Sequence, residues 1–198
     1  MTNIRSALLL VLILALPWAV HAQALISSGS GYGDIPRLEY GAAYNYFHAN
    51  APPGKCGCFM MNGGNGIIVY NLTPKWSAIA DLTVGHATNV AGSFQNITIF
   101  DYMFGPRYTR RSSSRYVPYG EVLLGGAKED VNFEFTINRN SFAFLAGGGV
   151  TTQLKPRLGL TIGEVDWIYS RIPNAVNNRQ NNLRIVTGVT FNFSHSSY

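Results

Sequence analysis

The segment from Leu183 to Phe193, L-R-I-V-T-G-V-T-F-N-F, constrains the fold of this chain more than any other. One parity carries Leu183, Ile185, Thr187, Val189, Phe191 and Phe193; the other carries Arg184, Val186, Gly188, Thr190 and Asn192. Successive side chains of a strand point to opposite faces. The segment therefore predicts a two-faced strand, apolar and aromatic on one side, small and polar on the other. A soluble protein buries the first face and wets the second. A transmembrane barrel does the reverse and turns Val189, Phe191 and Phe193 to lipid.

Composition and the N-terminus favour the second arrangement. Charged residues make up 13% of the chain, against roughly 25% in typical soluble domains. A strand face so poor in charge suits a crowded barrel interior better than open water. Met1 to Ala22 reads as a signal peptide: Arg5 precedes a run from Ala7 to Val20 that is almost wholly apolar, and Val20-His21-Ala22 offers a small-residue cleavage site. That run is short for a spanning helix, which needs roughly 17–25 residues. The expected organisation is a signal peptide over 1–22, a periplasmic N-terminal segment over 23–37, a barrel over 38–193 and a tail over 194–198. The formal charge of +5 lies largely in turns, and no basic tract interleaved with aromatics points to nucleic acid.

Eight strands are expected, near Leu38–His48, Gly66–Leu72, Trp76–His86, Ile97–Thr109, Tyr116–Ala127, Ser141–Leu154, Arg157–Tyr169 and Leu183–Phe193. The connections alternate in length. Short turns at Thr73–Lys75, Arg110–Arg115 and Lys155–Pro156 alternate with longer gaps at Ala49–Asn65, Ala87–Asn96, Lys128–Asn140 and Ser170–Asn181. Short turns on one rim and long loops on the other is the layout of outer-membrane barrels. Lys75, Arg110, Arg111, Arg115, Lys155 and Arg157 would ring the turn side, read as the periplasmic mouth. The expected fold class is all-β, an eight-stranded antiparallel up-and-down transmembrane β-barrel.

If the apolar parity meets lipid, the charged parity must point inward. That predicts a lumen network of Glu39, Asp81, Asp101, Arg107, Glu121, Glu164, Asp166 and Arg184. Eight strands enclose only enough space for side chains, so these carboxylates need partners, and the two arginines are suited to supply them. The network reads as a structural plug, with a narrow cation path as the alternative because acids outnumber bases.

Cys56 and Cys58 are the only cysteines. They fall in the first long loop and could close a tight disulfide, remain thiols, or offer two metal ligands that nothing nearby completes. His48 and His86 sit at outer strand ends, where a hydrolase site with Ser93 or Thr88 could be argued. No G-x-S-x-G elbow exists, and rim histidines without chemistry are the simpler reading. No catalytic residue, metal or cofactor is expected.

Several segments resemble the OmpA-like outer-membrane β-barrel domain family: Phe104-Gly-Pro-Arg107-Tyr, Pro118-Tyr-Gly-Glu-Val-Leu-Leu-Gly-Gly-Ala127, Phe142-Ala-Phe-Leu-Ala-Gly-Gly-Gly149 and Gln180 to Phe193. The resemblance implies an eight-stranded barrel inserted by the outer-membrane assembly machinery, which reads a terminal strand ending in an aromatic. Phe193 is followed by Ser194 to Tyr198, a departure from that pattern. The chain stops before the peptidoglycan-binding domain of full-length OmpA proteins, so no cell-wall tether is expected. The expected function is structural or surface-interactive with room for weak pore activity, in a monomer. Its partners would be outer-membrane lipids, lipopolysaccharide and an extracellular ligand met through the long loops. A lipid A deacylase or acyltransferase is the enzymatic alternative.

Overall fold

The computed structural model describes residues 35–50, 58–92, 94–111, 115–132, 136–155, 157–172 and 179–192. Eight strands follow one another: β1 (Leu38–Asn50), β2 (Cys58–Asn71), β3 (Trp76–Ala87), β4 (Asn96–Thr109), β5 (Tyr116–Asn132), β6 (Thr136–Lys155), β7 (Leu158–Ser170) and β8 (Gln180–Asn192). Each pairs antiparallel with its neighbour in sequence, and β8 returns to pair with β1, closing the barrel. The expected fold class is therefore the one the chain adopts. The signal-peptide reading, Phe193 and the tail lie outside the described residues.

Two-residue alternation produces this closure. In β3, Ser77, Ile79, Asp81, Thr83, Gly85 and Ala87 are buried while the residues between them are exposed. The exposed set is the apolar one: Phe104 is 69% exposed and Arg184 is 0% exposed. A soluble core would show the opposite. Tyr40, Tyr70, Trp76, Tyr108 and Tyr116 all face outward near the turn ends of their strands, where an interfacial aromatic girdle belongs. Trp76 and Tyr108 meet edge to face at 5.1 Å, a favoured aromatic geometry.

The strands are staggered around the ring. Following Cα partners from Tyr108 on β4 leads through Gly120, Gly148, Val165, Ile185, Tyr46, Asn62 and His86, and arrives not at Tyr108 but at Thr98. This displacement along one strand is the shear that tilts the strands and fixes the bore of a closed barrel.

The sequence expectation was less accurate for the gaps opposite the turns. β2 begins at Cys58 rather than near Gly66, and β5 and β6 continue to Asn132 and from Thr136. Much of two expected long loops is therefore strand. Asn62-Gly-Gly-Asn-Gly66 lacks apolar alternation, yet barrel neighbours on both sides hold it extended. The β5–β6 hairpin pairs Lys128 with Asn140, Glu129 with Arg139, Asp130 with Asn138 and Val131 with Ile137 towards its end. Beyond the bilayer nothing requires a strand to be apolar.

Candidate functional site in the barrel lumen

The inward parity of the strands builds two abutting layers. The first is polar and is centred on Arg184, which β8 aims across the lumen. Its Nε donates to Asp166 Oδ2 on β7 at 2.8 Å, its Nη1 to Thr83 Oγ1 on β3 at 2.6 Å, and its Nη2 to Asp81 Oδ2 at 2.8 Å and Glu164 Oε1 at 3.3 Å. Asp81 also accepts from Thr83 at 2.5 Å and from the Asn65 amide at 3.1 Å. Beside this group, Arg107 Nε donates to Glu121 Oε2 at 2.6 Å, and its guanidinium lies 4.1 Å from the centre of the Tyr119 ring. The Tyr119 hydroxyl donates to Glu164, so one carboxylate joins both arginine clusters. Charge-assisted bonds of this kind are roughly twice as strong as neutral ones.

Glycine on β6 makes the space for this. A Cβ at Gly147 would lie 1.8 Å from Asp166 Oδ1, and one at Gly149 would lie 2.8 Å from the Tyr119 hydroxyl. The glycine run beside the two arginine clusters is thus the mould into which the acids fit.

Of the eight residues expected in the lumen, Asp81, Glu164, Asp166 and Arg184 meet in one cluster and Arg107 and Glu121 in the second. Asp101 is buried on β4, and its Oδ1 has no hydrogen-bond partner among the described residues. Glu39 stands apart, near the turn rim, where it accepts from Asn71 Nδ2 at 2.6 Å and lies 3.8 Å from Arg111. Tyr119, Thr83 and Asn65 join the network beyond those eight. Tyr119 shares the parity of Glu121 on β5, and Thr83 that of Asp81 on β3, so the alternation alone could have nominated both. One carboxylate oxygen each from Asp81, Glu121 and Glu164 lies within 4.8 Å of the others, an arrangement able to hold a cation. Arg184 and Arg107 already serve that acidic group.

The second layer is apolar and lies mostly towards the end opposite the turns, with Val69 and Ile79 of the same cluster near the β2–β3 turn. Phe47, Met61, Ile97, Leu123, Leu145, Ile168 and Ile172 are all at most 1% exposed. Val90, within a short 3-10 turn over Val90–Gly92 in the β3–β4 connection, belongs to the same cluster. That connection is tied by Asn89, whose Oδ1 accepts from Phe94 N at 3.0 Å and whose N donates to Asn96 Oδ1 at 3.1 Å. Asn89 and Phe94 both have positive φ, 47° and 60°, and Phe94 is 79% exposed at the rim. Positive φ is uncommon for a bulky residue and points to a built loop.

The remaining candidates sit outside the lumen. His48 and His86 face outward, and His86 Nδ1 lies 2.9 Å from Thr98 Oγ1. Cys58 is exposed at the start of β2; Cys56 lies outside the described residues, and so does Ser93.

Known structures share this closed barrel. Neisserial surface protein A superposes with a TM-score of 0.63 at 16% identity, covering 79% of this chain and 97% of that one. The fold is that of the small outer-membrane β-barrels. Ail, the attachment invasion locus protein of Yersinia pestis, gives 0.54 at 14% identity, covering 78% and 98%. The outer membrane protein OprG from Pseudomonas aeruginosa gives 0.53 at 11% identity, covering 81% and 97%. No protein-family model and no curated protein sequence matches this chain. At such identities the likeness carries the barrel and its strand order, while the lumen chemistry must be argued from this small barrel's own residues.

Proposed function

We propose that this protein is a sealed barrel of the bacterial outer membrane, a structural and surface-presenting element and not a conduit. The observation that carries the reading is that buried side chains of two kinds, ion-paired and apolar, occupy the lumen. An arginine-centred ion-pair layer abuts an apolar layer made by Phe47, Met61, Leu123, Leu145 and Ile168. A hydrated ion would have to break charge-assisted bonds in the first and shed its water in the second. The outward apolar faces and the likeness to outer-membrane proteins support the location. Surface contact falls to the rim opposite the basic turns, where Phe94 is presented on a tied loop.

Conductance across planar bilayers tests the reading. Refolded protein should give no discrete steps, and Arg107→Ala should lower stability without creating them. Regular steps in the unaltered protein would overturn it and favour the narrow cation path. An enzymatic reading has less support, because His86 is paired with a threonine hydroxyl on the outer wall and not with an acid. Lipid A acyl chains that change when the protein is expressed would reinstate it.

A further inference from the structure

The outer wall of the barrel is not uniformly rough. Cα partners place Ile68, Ala80 and Phe104 in one row across β2, β3 and β4, and Tyr70, Ala78 and Pro106 in the next. In both rows an outward alanine stands between larger neighbours. The result is a trough of about 450 Å³ running along β3, lined by these six residues with Leu72 and Gly105. Leu82, 53% exposed, stands in the next row up. At the other end lie the Trp76–Tyr108 pair and then the turns.

Those turns are stitched into one basic patch. Thr109 N donates to Lys75 O at 2.8 Å, which sets Lys75 beside Arg110, and Arg111 Nε donates to Pro74 O at 3.1 Å. Arg111 is already engaged with Glu39 and Asn71. Lys75 and Arg110 are exposed and have no ion-pair partner among the described residues. An apolar trough thus opens, past an interfacial aromatic pair, onto two unpaired cations.

We propose that this trough and the Lys75–Arg110 patch form a binding site for an anionic phospholipid, with an acyl chain along β3 and the headgroup phosphate at the two cations. The inference rests on the membrane-spanning reading above. The trough is one strand wide, so a hydrocarbon chain can enter it where the wall of a second barrel cannot. Basic residues at a membrane surface attract anionic headgroups, and tryptophan and tyrosine favour the headgroup level.

The test is native mass spectrometry of the full protein released from detergent micelles doped with equal amounts of phosphatidylglycerol and phosphatidylcholine. The expected result is a retained phosphatidylglycerol adduct at several-fold higher occupancy than phosphatidylcholine. Lys75→Gln with Arg110→Gln should abolish that preference, and Ala80→Phe, which fills the trough from an outward position, should remove the adduct. Val165→Ala on the far wall should change neither. Equal retention of the two lipids, or a preference that survives the double charge variant, would overturn the proposal. So would an adduct unaffected by Ala80→Phe, or a mass showing a second copy in place of lipid. If Ala80→Phe fails to fold, the charge variant and the lipid comparison decide alone. A heat-dependent shift in gel mobility, run on the same samples, reports the closed barrel. Its presence without lipid preference defeats this inference only, and its absence defeats the membrane reading too.

Discussion

Gly147 and Asp166 share one space: the position a Cβ would take on Gly147 is 1.8 Å from the Asp166 carboxylate. The two residues are Cα partners on β6 and β7, and Val165 O lies 2.8 Å from the same point. Neither neighbour can yield without cost, because Asp166 is held by Arg184. Gly147→Ala should therefore destabilise the barrel by about 1–3 kcal/mol, the usual range for overpacking. Gly66→Ala, where the nearest atom is Gly41 O at 4.0 Å, should cost far less. The temperature at which the unboiled gel species is lost compares the two.

Removing Arg184 leaves Asp81, Glu164 and Asp166 as buried acids without their cation. Arg184→Met should cost about 3–5 kcal/mol, as for other broken buried pairs. Adding Asp166→Asn should restore part of that loss, since one of the orphaned charges is removed. Urea unfolding in lipid vesicles would measure both, and strict additivity of the two substitutions would contradict a shared network.

Tyr119→Phe separates the two contacts of that ring. The stacking on Arg107 remains, while the donor to Glu164 is lost. A bond to a charged group is worth about 1.5–3 kcal/mol, and a loss of that order is expected in the same unfolding assay. No change in stability would mean that the two arginine clusters are not joined through Glu164.

Phe47→Ala opens the apolar layer and leaves every acid and arginine of the ion-pair layer in the chain, although Phe47 stands across the seam from Arg184. It should cost about 3–5 kcal/mol, yet still give no conductance steps in a planar bilayer, because the arginine layer remains shut. Steps in this variant alone would show that the apolar layer is the whole seal.

Asn89→Ala removes the side-chain acceptor for Phe94 N and leaves the backbone bond to Asn96 Oδ1 in place, loosening the β3–β4 connection. Amide exchange at residues 88–95 should accelerate, while the strands stay protected. Phe94→Gly should slow it slightly, since glycine adopts the positive φ at that position without strain.

The barrel was legible in the sequence because its strongest signal, alternation in β3, β4, β8 and the Glu164–Ser170 half of β7, is what membrane insertion demands of each strand. The same alternation identified Asp81, Glu121, Glu164 and Arg184 as inward facing before any contact was known. Two things escaped it. The outer half of β2 and the ends of β5 and β6 carry no apolar parity, so their extended state follows from neighbours in the ladder and not from local pattern. The apolar layer was hidden for a different reason. Phe47, Met61 and Leu123 share the parity of the polar lumen, and a reading that sets polar residues inside and apolar residues outside has no place for them. Which acids join which arginine depends on the stagger of the closed ring, a property of all eight strands together.

That stagger also bears on how the molecule is made. Arg184 meets Thr83 and Asp81 across sequence separations of 101 and 103 residues, and it can do so only after β8 has found β1. Before that event Asp81 of β3 lies on an open, curling sheet, while Arg184 is held with Asp166 and Glu164 of the β7–β8 hairpin at the sheet's far edge. A partly formed wall pushed into hydrocarbon would carry that unneutralised carboxylate with it, which the bilayer resists. The arginine on the last strand thus works as a latch. It rewards completion of the seam and penalises burial of anything less, so that passage into the membrane and the closing of the ring become a single transaction.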